Sequence, residues 1–404
     1  MDKPLAWNEW TRAMQVALYN ATKRRKSRQV VQPIDATGTT AAFASGLYYD
    51  NTTPVGFSDL VTFSRLSGAT YIKDGVLKTA AANEPRFESG GLLIEGQSTN
   101  LVTRGEDAST WTVAGVTREM VDGSAFLTST SASYPRALVV SNIGYPAAEG
   151  GFYTASVFIK PGNTNSCHLT FEMKESKLTY RLVIDLERMV VTNTSLTTNT
   201  EASYTLKKMS DGFVRVCMTI KNLPNGAINS FFVGPCIDGG TPSAAGVGYS
   251  VYVKKAQIEA LQIASSYIPT TGTAATRAAD SAAVDMQPHT AGTIFAEFLS
   301  DAVAIERVVY TAWTVTLNRL ASGAISVTNG AVTVTSAVVP RGSVKAAISY
   351  DGATLKLAVN GVVYSAASAL PSVGVSITLG NTTFANVWQR SEAYDNARLV
   401  EVTQ

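Results

Sequence analysis

Beyond about residue 35 the apolar positions come in short bursts that alternate with polar residues at a period of two. The stretches 152–159, 180–186, 213–220 and 249–253 are rich in aromatic and β-branched residues and are bounded by Gly, Pro, Asn or Asp, the pattern of strands closed by turns. No long helical period interrupts them. Strands in close succession without intervening helices predict antiparallel sandwiches of the jelly-roll kind, in which alternate residues face a core between two sheets. Near the C-terminal end, Asp351-Gly352 and Asn360-Gly361 punctuate alternating apolar positions and predict three consecutive antiparallel strands.

The first residues follow another period. After Pro4, which suits a first helical turn, Leu5, Trp7, Trp10, Met14, Ala17, Leu18 and Ala21 recur near helical spacing, and the basic run Lys23-Arg24-Arg25-Lys26-Ser27-Arg28 closes the segment. Two of the chain's five tryptophans lie in its first ten residues, more apolar area than a short helix leaves in water. The helix therefore docks, either on the chain's own body or on another protein or its symmetry copies. Trp7, Trp10, Met14 and Leu18 are its candidate attachment residues. The basic run reads as a solvated junction, since it lacks the interleaved aromatics of a nucleic-acid surface.

A turn-rich connector spans 265–288, and a second β texture begins at Thr293. The expected fold class is mainly β, an N-terminal α-helix followed by two antiparallel β-sandwich (jelly-roll) domains. The expected division is a helix at 1–30, a lead-in β segment at 31–100 packing on the first sandwich, a first sandwich at 101–286 and a second at 287–404.

Composition narrows the chemistry. Only 16% of the 404 residues are charged, and 33 Lys+Arg against 31 Asp+Glu give a net charge of +2, so no overall electrostatic case exists for a nucleic-acid or acidic-membrane partner. The two histidines, His168 and His289, and the three cysteines, Cys167, Cys217 and Cys236, leave the commonest general base and the soft metal ligands nearly absent. An odd cysteine count without CxxC spacing predicts buried thiols rather than a disulfide scaffold or zinc ribbon. No run of eighteen apolar residues occurs, and Met1-Asp2-Lys3-Pro4 lacks the apolar stretch of a signal peptide, so a soluble chain is expected, without membrane insertion. Motifs for serine esterases, phosphate-binding loops and zinc proteases are missing, and neither a metal nor a cofactor is expected.

Cys167 and His168 are neighbours on a strand and point to opposite faces, so adjacency does not couple them. A glycosidase needs only two carboxylates about 5–10 Å apart. Glu172, Glu175, Asp185 and Glu187 are the candidates for that reading, which competes with their being solvated surface charges. Asp351 and Asp395 sit near turns, outside any calcium-loop spacing. Binding through exposed rings and polar loops remains: rings stack on the apolar faces of sugars while polar side chains bond the hydroxyls. Trp111, Trp313 and Trp388 are the glycan-binding candidates, each against the alternative of a core role.

Residues 59–71 (DLVTFSRLSGATY), 74–77 (DGVL), 83–87 (NEPRF), 91–101 (GLLIEGQSTNL) and Trp111-Thr112 form a long ordered string, followed much later by 256–260 (AQIEA), 264–270 (ASSYIPT) and 276–280 (TRAAD). These strings resemble tailed-bacteriophage tail fibre and appendage proteins, the second resembling the closing segment of their carbohydrate-binding-module-like jelly roll. The texture of 290–404 is similar to the concanavalin-A-like or laminin-G-like sandwiches that often follow. The resemblance implies a virion location, an N-terminal segment attached to tail or capsid proteins, a homotrimer and distal domains that meet host cell-surface glycans. It carries over no catalytic motif, and the repetitive β-helix of depolymerase tailspikes is absent. Physically, Phe63, Tyr71, Leu92, Leu93, Ile94, Leu101 and Tyr267 alternate as strand positions do, while Arg65, Arg86, Glu95 and Arg277 are candidates for paired charges holding the segments together.

Overall fold

A computed structural model describes residues 38–143, 151–173, 179–196, 201–221, 228–287, 291–300, 306–312, 314–368 and 376–404. The expected helix with Trp7, Trp10, Met14 and Leu18 lies outside the described residues, as do Trp313 and His289. Within them the chain is mainly β, and its sheets pair antiparallel throughout two sandwiches.

The first sandwich packs two six-stranded sheets face to face. One runs Thr112–Ala114, Arg136–Ile143, Ile228–Pro235, Ser166–Met173, Thr179–Asp185, Val190–Leu196; the other runs Val116–Val121, Ser124–Ser129, Ser250–Glu259, Phe152–Pro161, Val214–Lys221, Ala202–Lys208. Period-two alternation sets the faces: Tyr153, Ala155, Val157 and Ile159 lie opposite Ile220, Met218, Val216 and Val214, and all eight enter one core. The alternate residues of Phe152–Pro161 are also largely buried, because the other side of that sheet is covered in part. Ile72, Met209 and Tyr267 pack on Phe158 and Phe213 there.

The second sandwich corrects the expected division. Its larger sheet takes Thr39–Ala42, Leu47–Asp50, Thr53–Pro54, Arg86–Glu88 and Gly91–Leu93 from the lead-in segment and joins them to Thr383–Arg390, Gly292–Ser300, Gly342–Tyr350, Thr354–Val359 and Val362–Ala367. The facing sheet takes Val61–Ser64, which pairs with Ser281–Asp285. The lead-in was expected to pack on the first sandwich; most of its strands instead build the second, and Ser281–Asp285, assigned to the first, belongs there too. The reason is apolar complementarity: Ala41, Leu60, Val61, Leu92, Ile94, Ala282 and Val284 complete the core around Ile294, Leu317, Ile348 and Val387. Gly91 permits the closest approach, since a Cβ there would stand 1.9 Å from the Phe384 carbonyl oxygen. The hairpin Ala69–Lys73 and Val76–Ala80, turned at Asp74-Gly75 with φ of 52° and 77°, does lie on the first sandwich, as does Ser98–Asn100, whose Asn100 side chain donates to Ala256 O and accepts from Ile258 N.

The first sandwich is thus an insertion. The chain leaves the second at about residue 95, passes through Ser98–Asn100, traverses the first, and returns through Ala275–Arg277, which pairs with Ser98–Asn100. The expected three-stranded meander is present: Gly342–Tyr350, Thr354–Val359 and Val362–Ala367 pair in sequence, with Asn360-Gly361 at φ of 46° and 84°. The helix Asn396–Thr403 closes over the larger sheet, its N-terminus capped by Asp395, whose Oδ1 accepts from Arg398 N at 2.8 Å. No helix among the described residues is long and apolar enough to cross a membrane.

Candidate functional site

The insertion leaves a cleft of about 1290 Å³ between the sandwiches. Its floor is the outer face of one sheet of the first sandwich. On Ala202–Lys208 the residues turned from the core are Ser203, Thr205 and Lys207, and the register places them against Thr219, Cys217 and Arg215 of Val214–Lys221. The hydroxyls therefore come as neighbours: Ser203 beside Thr219, and Thr219 Oγ1 2.7 Å from Thr154 Oγ1. The second sandwich supplies the opposite wall, where Leu299 and Val308 are 55% and 45% exposed beside Asn381 and Thr382.

The closed end is a buried ion network that ties the two sandwiches together. Arg65 Nη1 donates to Asp280 Oδ1 at 3.1 Å, and its other N–H groups meet the carbonyls of Ser67, Ala81 and Glu84. Arg86 donates to Glu95 Oε2 at 2.6 Å, to the Thr70 carbonyl at 2.9 Å, to Ser266 Oγ at 2.8 Å and to Asp280 Oδ2. Arg277 reaches Gly96 O at 2.7 Å and Glu95 Oε2 at 3.6 Å. Burial disfavours the charge of Arg65 and lowers its pKa, with Asp280 partly offsetting it. Burial also works against Arg86, but Glu95 and Asp280 outweigh it and its pKa stands above the ordinary value. The Glu95 carboxyl is likewise opposed by burial, yet Arg277 and Arg86, with hydrogen bonds from Ser266, hold it below the usual carboxylate range. The paired charges read from the sequence at Arg65, Arg86, Glu95 and Arg277 meet here, with Asp280 as the member the sequence reading omitted.

The glycan candidates fare differently. Trp111 is 3% exposed in the core of the first sandwich, its Nε1 donating to the Arg104 carbonyl at 3.2 Å. Trp388 is 5% exposed and stacks on Phe295 with ring centroids 4.9 Å apart, under Tyr394, Leu399 and Val402. Both are core residues and present no stacking face, because each fills a volume that smaller residues would leave empty. The described carboxylates of the glycosidase reading lie on the far sheet and its turn, and none lines the cleft: Glu172 accepts from Ser230 Oγ, Asp185 accepts from the amides of Glu187 and Arg188 in a turn, and Glu187 accepts from Asn165. Glu175 lies outside the described residues.

His168 is fully buried, its Nε2 2.8 Å from the Pro135 carbonyl, and burial lowers its pKa from 6.5 to about 4. The three cysteines are buried and free. No group of three His, Cys, Asp or Glu among the described residues is placed to hold a metal. Of the cleft residues, Glu95 and Arg277 were read as paired charges and Tyr71, Leu93, Ile94 and Tyr267 as strand positions, while the hydroxyl floor went unread. On that floor Arg215 carries a signal, as the single charge inside the otherwise uncharged strand pattern 213–220.

No protein-family model and no curated protein matches the chain. Among solved structures, a family 29 carbohydrate-binding module mutant complexed with cellulohexaose is similar to it over 41% of this chain and 93% of that one, at 9% identity and a TM-score of 0.25. Domains LG4-5 of the mouse laminin α1 chain are similar over 75% of this chain and 92% of theirs, at 9% identity and a TM-score of 0.19. The LG1-3 region of the laminin α2 chain is similar over 87% of this chain and 68% of its own, at 11% identity and a TM-score of 0.20.

Proposed function

We propose that the protein is a bacteriophage virion fibre or appendage protein that holds host cell-surface glycans in the cleft between its two sandwiches and does not cleave them. The cleft is the observation that carries the binding half of this reading. A sugar offers hydroxyls on its rim and C–H groups on its faces, and the cleft offers Ser203, Thr205, Thr219, Asn381 and Thr382 with the exposed apolar Leu299 and Val308 opposite. Three of its carboxylates are already engaged, Glu88 by Lys207, Glu201 by Lys221 and Glu95 by two arginines, which supports retention over hydrolysis. The virion half rests on the ordered strings at 59–112 and 256–280, which supply the insertion's two junctions. On this reading residues 1–28 attach a homotrimer to the particle, and the cleft, rather than Trp111 or Trp388, meets the host.

The test is a glycan array probed with the intact protein, followed by reducing-end assays on the positives. Retention without new reducing ends is the expected result. Thr205→Trp, which fills the floor of the cleft at an exposed position, should abolish retention without lowering the melting temperature. New reducing ends would mark a cleaving enzyme, and a protein that retains no glycan would be a structural decoration. Deleting residues 1–28 should remove the protein from purified virions; its persistence there would sink the attachment role.

A further inference from the structure

Among the described residues, one buried charge of the cleft lacks an ion pair. Arg215 lies opposite Phe158 in the sheet register, on the side away from the core, with its guanidinium carbon 5.7 Å from that ring's centre, and it is 6% exposed. Its Nη2 donates to Ser156 Oγ at 3.1 Å and to the Ser265 carbonyl at 2.8 Å. Its Nε is buried without a hydrogen-bond partner, and no carboxylate among the described residues forms an ion pair with it. Buried cations are ordinarily paired, because desolvation is costly unless an opposite charge or a full set of acceptors offsets it. Arg65, Arg86 and Arg277 at the same end have carboxylates. Arg390, buried elsewhere without one, directs both Nη atoms to Thr39 O, Gln389 O and Thr40 Oγ.

The surroundings balance the charge only in part from further away. The segment Ser265-Ser266 joins Arg215 to the network: Ser265 accepts from Arg215, and Ser266 donates to both oxygens of Glu95 and accepts from Arg86. Around it stand four arginines, 65, 86, 215 and 277, and three carboxylates, Glu95, Asp280 and Glu259. Glu259 is itself buried and forms no ion pair with Arg215; burial raises its carboxyl pKa, against hydrogen bonds from Ser265 and Ser98 and the more distant charge of Arg215. Arg277, which also lines the cleft, likewise has a buried Nε without a partner.

Resting on the reading of the cleft as a glycan site, we propose that Arg215 is its specificity-determining residue and that the glycans held are acidic, carrying the carboxylate of a uronic or sialic type of sugar. A carboxylate is planar, and its two oxygens match the paired N–H groups along one edge of a guanidinium. It would supply the missing counter-charge, which a neutral hydroxyl does not.

The intact protein is applied to neutral glycans, carboxylated glycans and the methyl esters of the latter. Carboxylated glycans should be retained, and esterification, which removes the charge while keeping the sugar, should weaken retention by at least about tenfold. Arg215→Gln should reproduce that loss with the free acids, and Arg215→Lys should restore part of it. The ester comparison uses the wild-type protein and so holds even if Arg215→Gln fails to fold. Equal retention of acid and ester, or retention of neutral glycans alone, overturns the role of Arg215 and leaves the cleft as a glycan site. Retention of no glycan at all overturns both.

Discussion

The two sandwiches are built by the same rule of alternating residues and differ in how their strands are gathered. The first closes from one continuous stretch, every strand from Thr112–Ala114 to Ser250–Glu259 lying between its own two junctions. The second needs both flanks of that stretch: Thr39–Ala42 pairs with Thr383–Arg390, and Val61–Ser64 with Ser281–Asp285. Strand identity is thus a local property, whereas domain membership is decided by pairings hundreds of residues apart. Such long-range pairings also pay a larger loop-closure entropy before contacts form, which makes the second sandwich the slower to assemble.

The sharpest way to break this comparison is to cut the chain. Residues 98–277 produced alone should give a β-type circular dichroism spectrum and a cooperative melt, while residues 281–404 alone should remain unfolded for want of Ala41, Leu60, Val61, Leu92 and Ile94. A folded 281–404 fragment would restore the division first read from the sequence. Next in size is Asp280→Asn. It leaves Arg65 and Arg86 short of a buried counter-charge and should cost about 3–5 kcal/mol. In calorimetry of the intact chain the loss should fall on the transition of the second sandwich.

Acid should separate the two as well. The folded His168 imidazole titrates at about 4 against an ordinary 6.5, so between those values the unfolded chain binds a proton that the folded chain does not. Stability of the first sandwich is then full above about pH 6.5 and falls as pH drops to about 4, by roughly 3 kcal/mol. Glu95 behaves otherwise. Its depressed pKa contributes stability that is present above the ordinary carboxylate value and lost only as pH falls through the lower folded value, so the junction weakens at more acid pH. Melting temperatures across pH 3–7 should show the two losses in that order, and His168→Gln should flatten the first. The smallest effect belongs to Asp395→Ala, which removes the cap of Asn396–Thr403 and should cost about 1 kcal/mol in denaturant titration, confined to the second sandwich.

What was legible in the sequence follows the same divide. Strands 152–159 and 213–220 were visible because alternation is local, and Asp-Gly and Asn-Gly pairs announced the meander at 342–367. The charges at Arg65, Arg86, Glu95 and Arg277 were recognisable as members of paired sets, and Glu95 does pair with Arg86 and Arg277, because apolar strands seldom carry isolated charges. The partner shared by two of these arginines, Asp280, was not, since its role depends on a fold that brings it 215 residues back along the chain to Arg65. Trp111 and Trp388 attracted attention through their size, yet size is what the cores used. The floor of the cleft, Ser203, Thr205 and Thr219, was hidden among the many hydroxyl residues of the chain, and only the register assembles it.

The paired strands at Ser98–Asn100 and Ala275–Arg277 have a mechanical consequence. Tension applied between residues 39 and 403 enters the second sandwich at both ends, and the chain on either side of the insertion is clamped where Glu95 N donates to Asp280 Oδ2 and Arg277 Nη2 to Gly96 O. The load is met first by the pairing of Thr39–Ala42 with Thr383–Arg390, and the first sandwich hangs behind the clamp as a side branch outside that path. The sheet that forms the floor of the cleft stays slack under a pull that would stretch its host, until the clamp itself gives way.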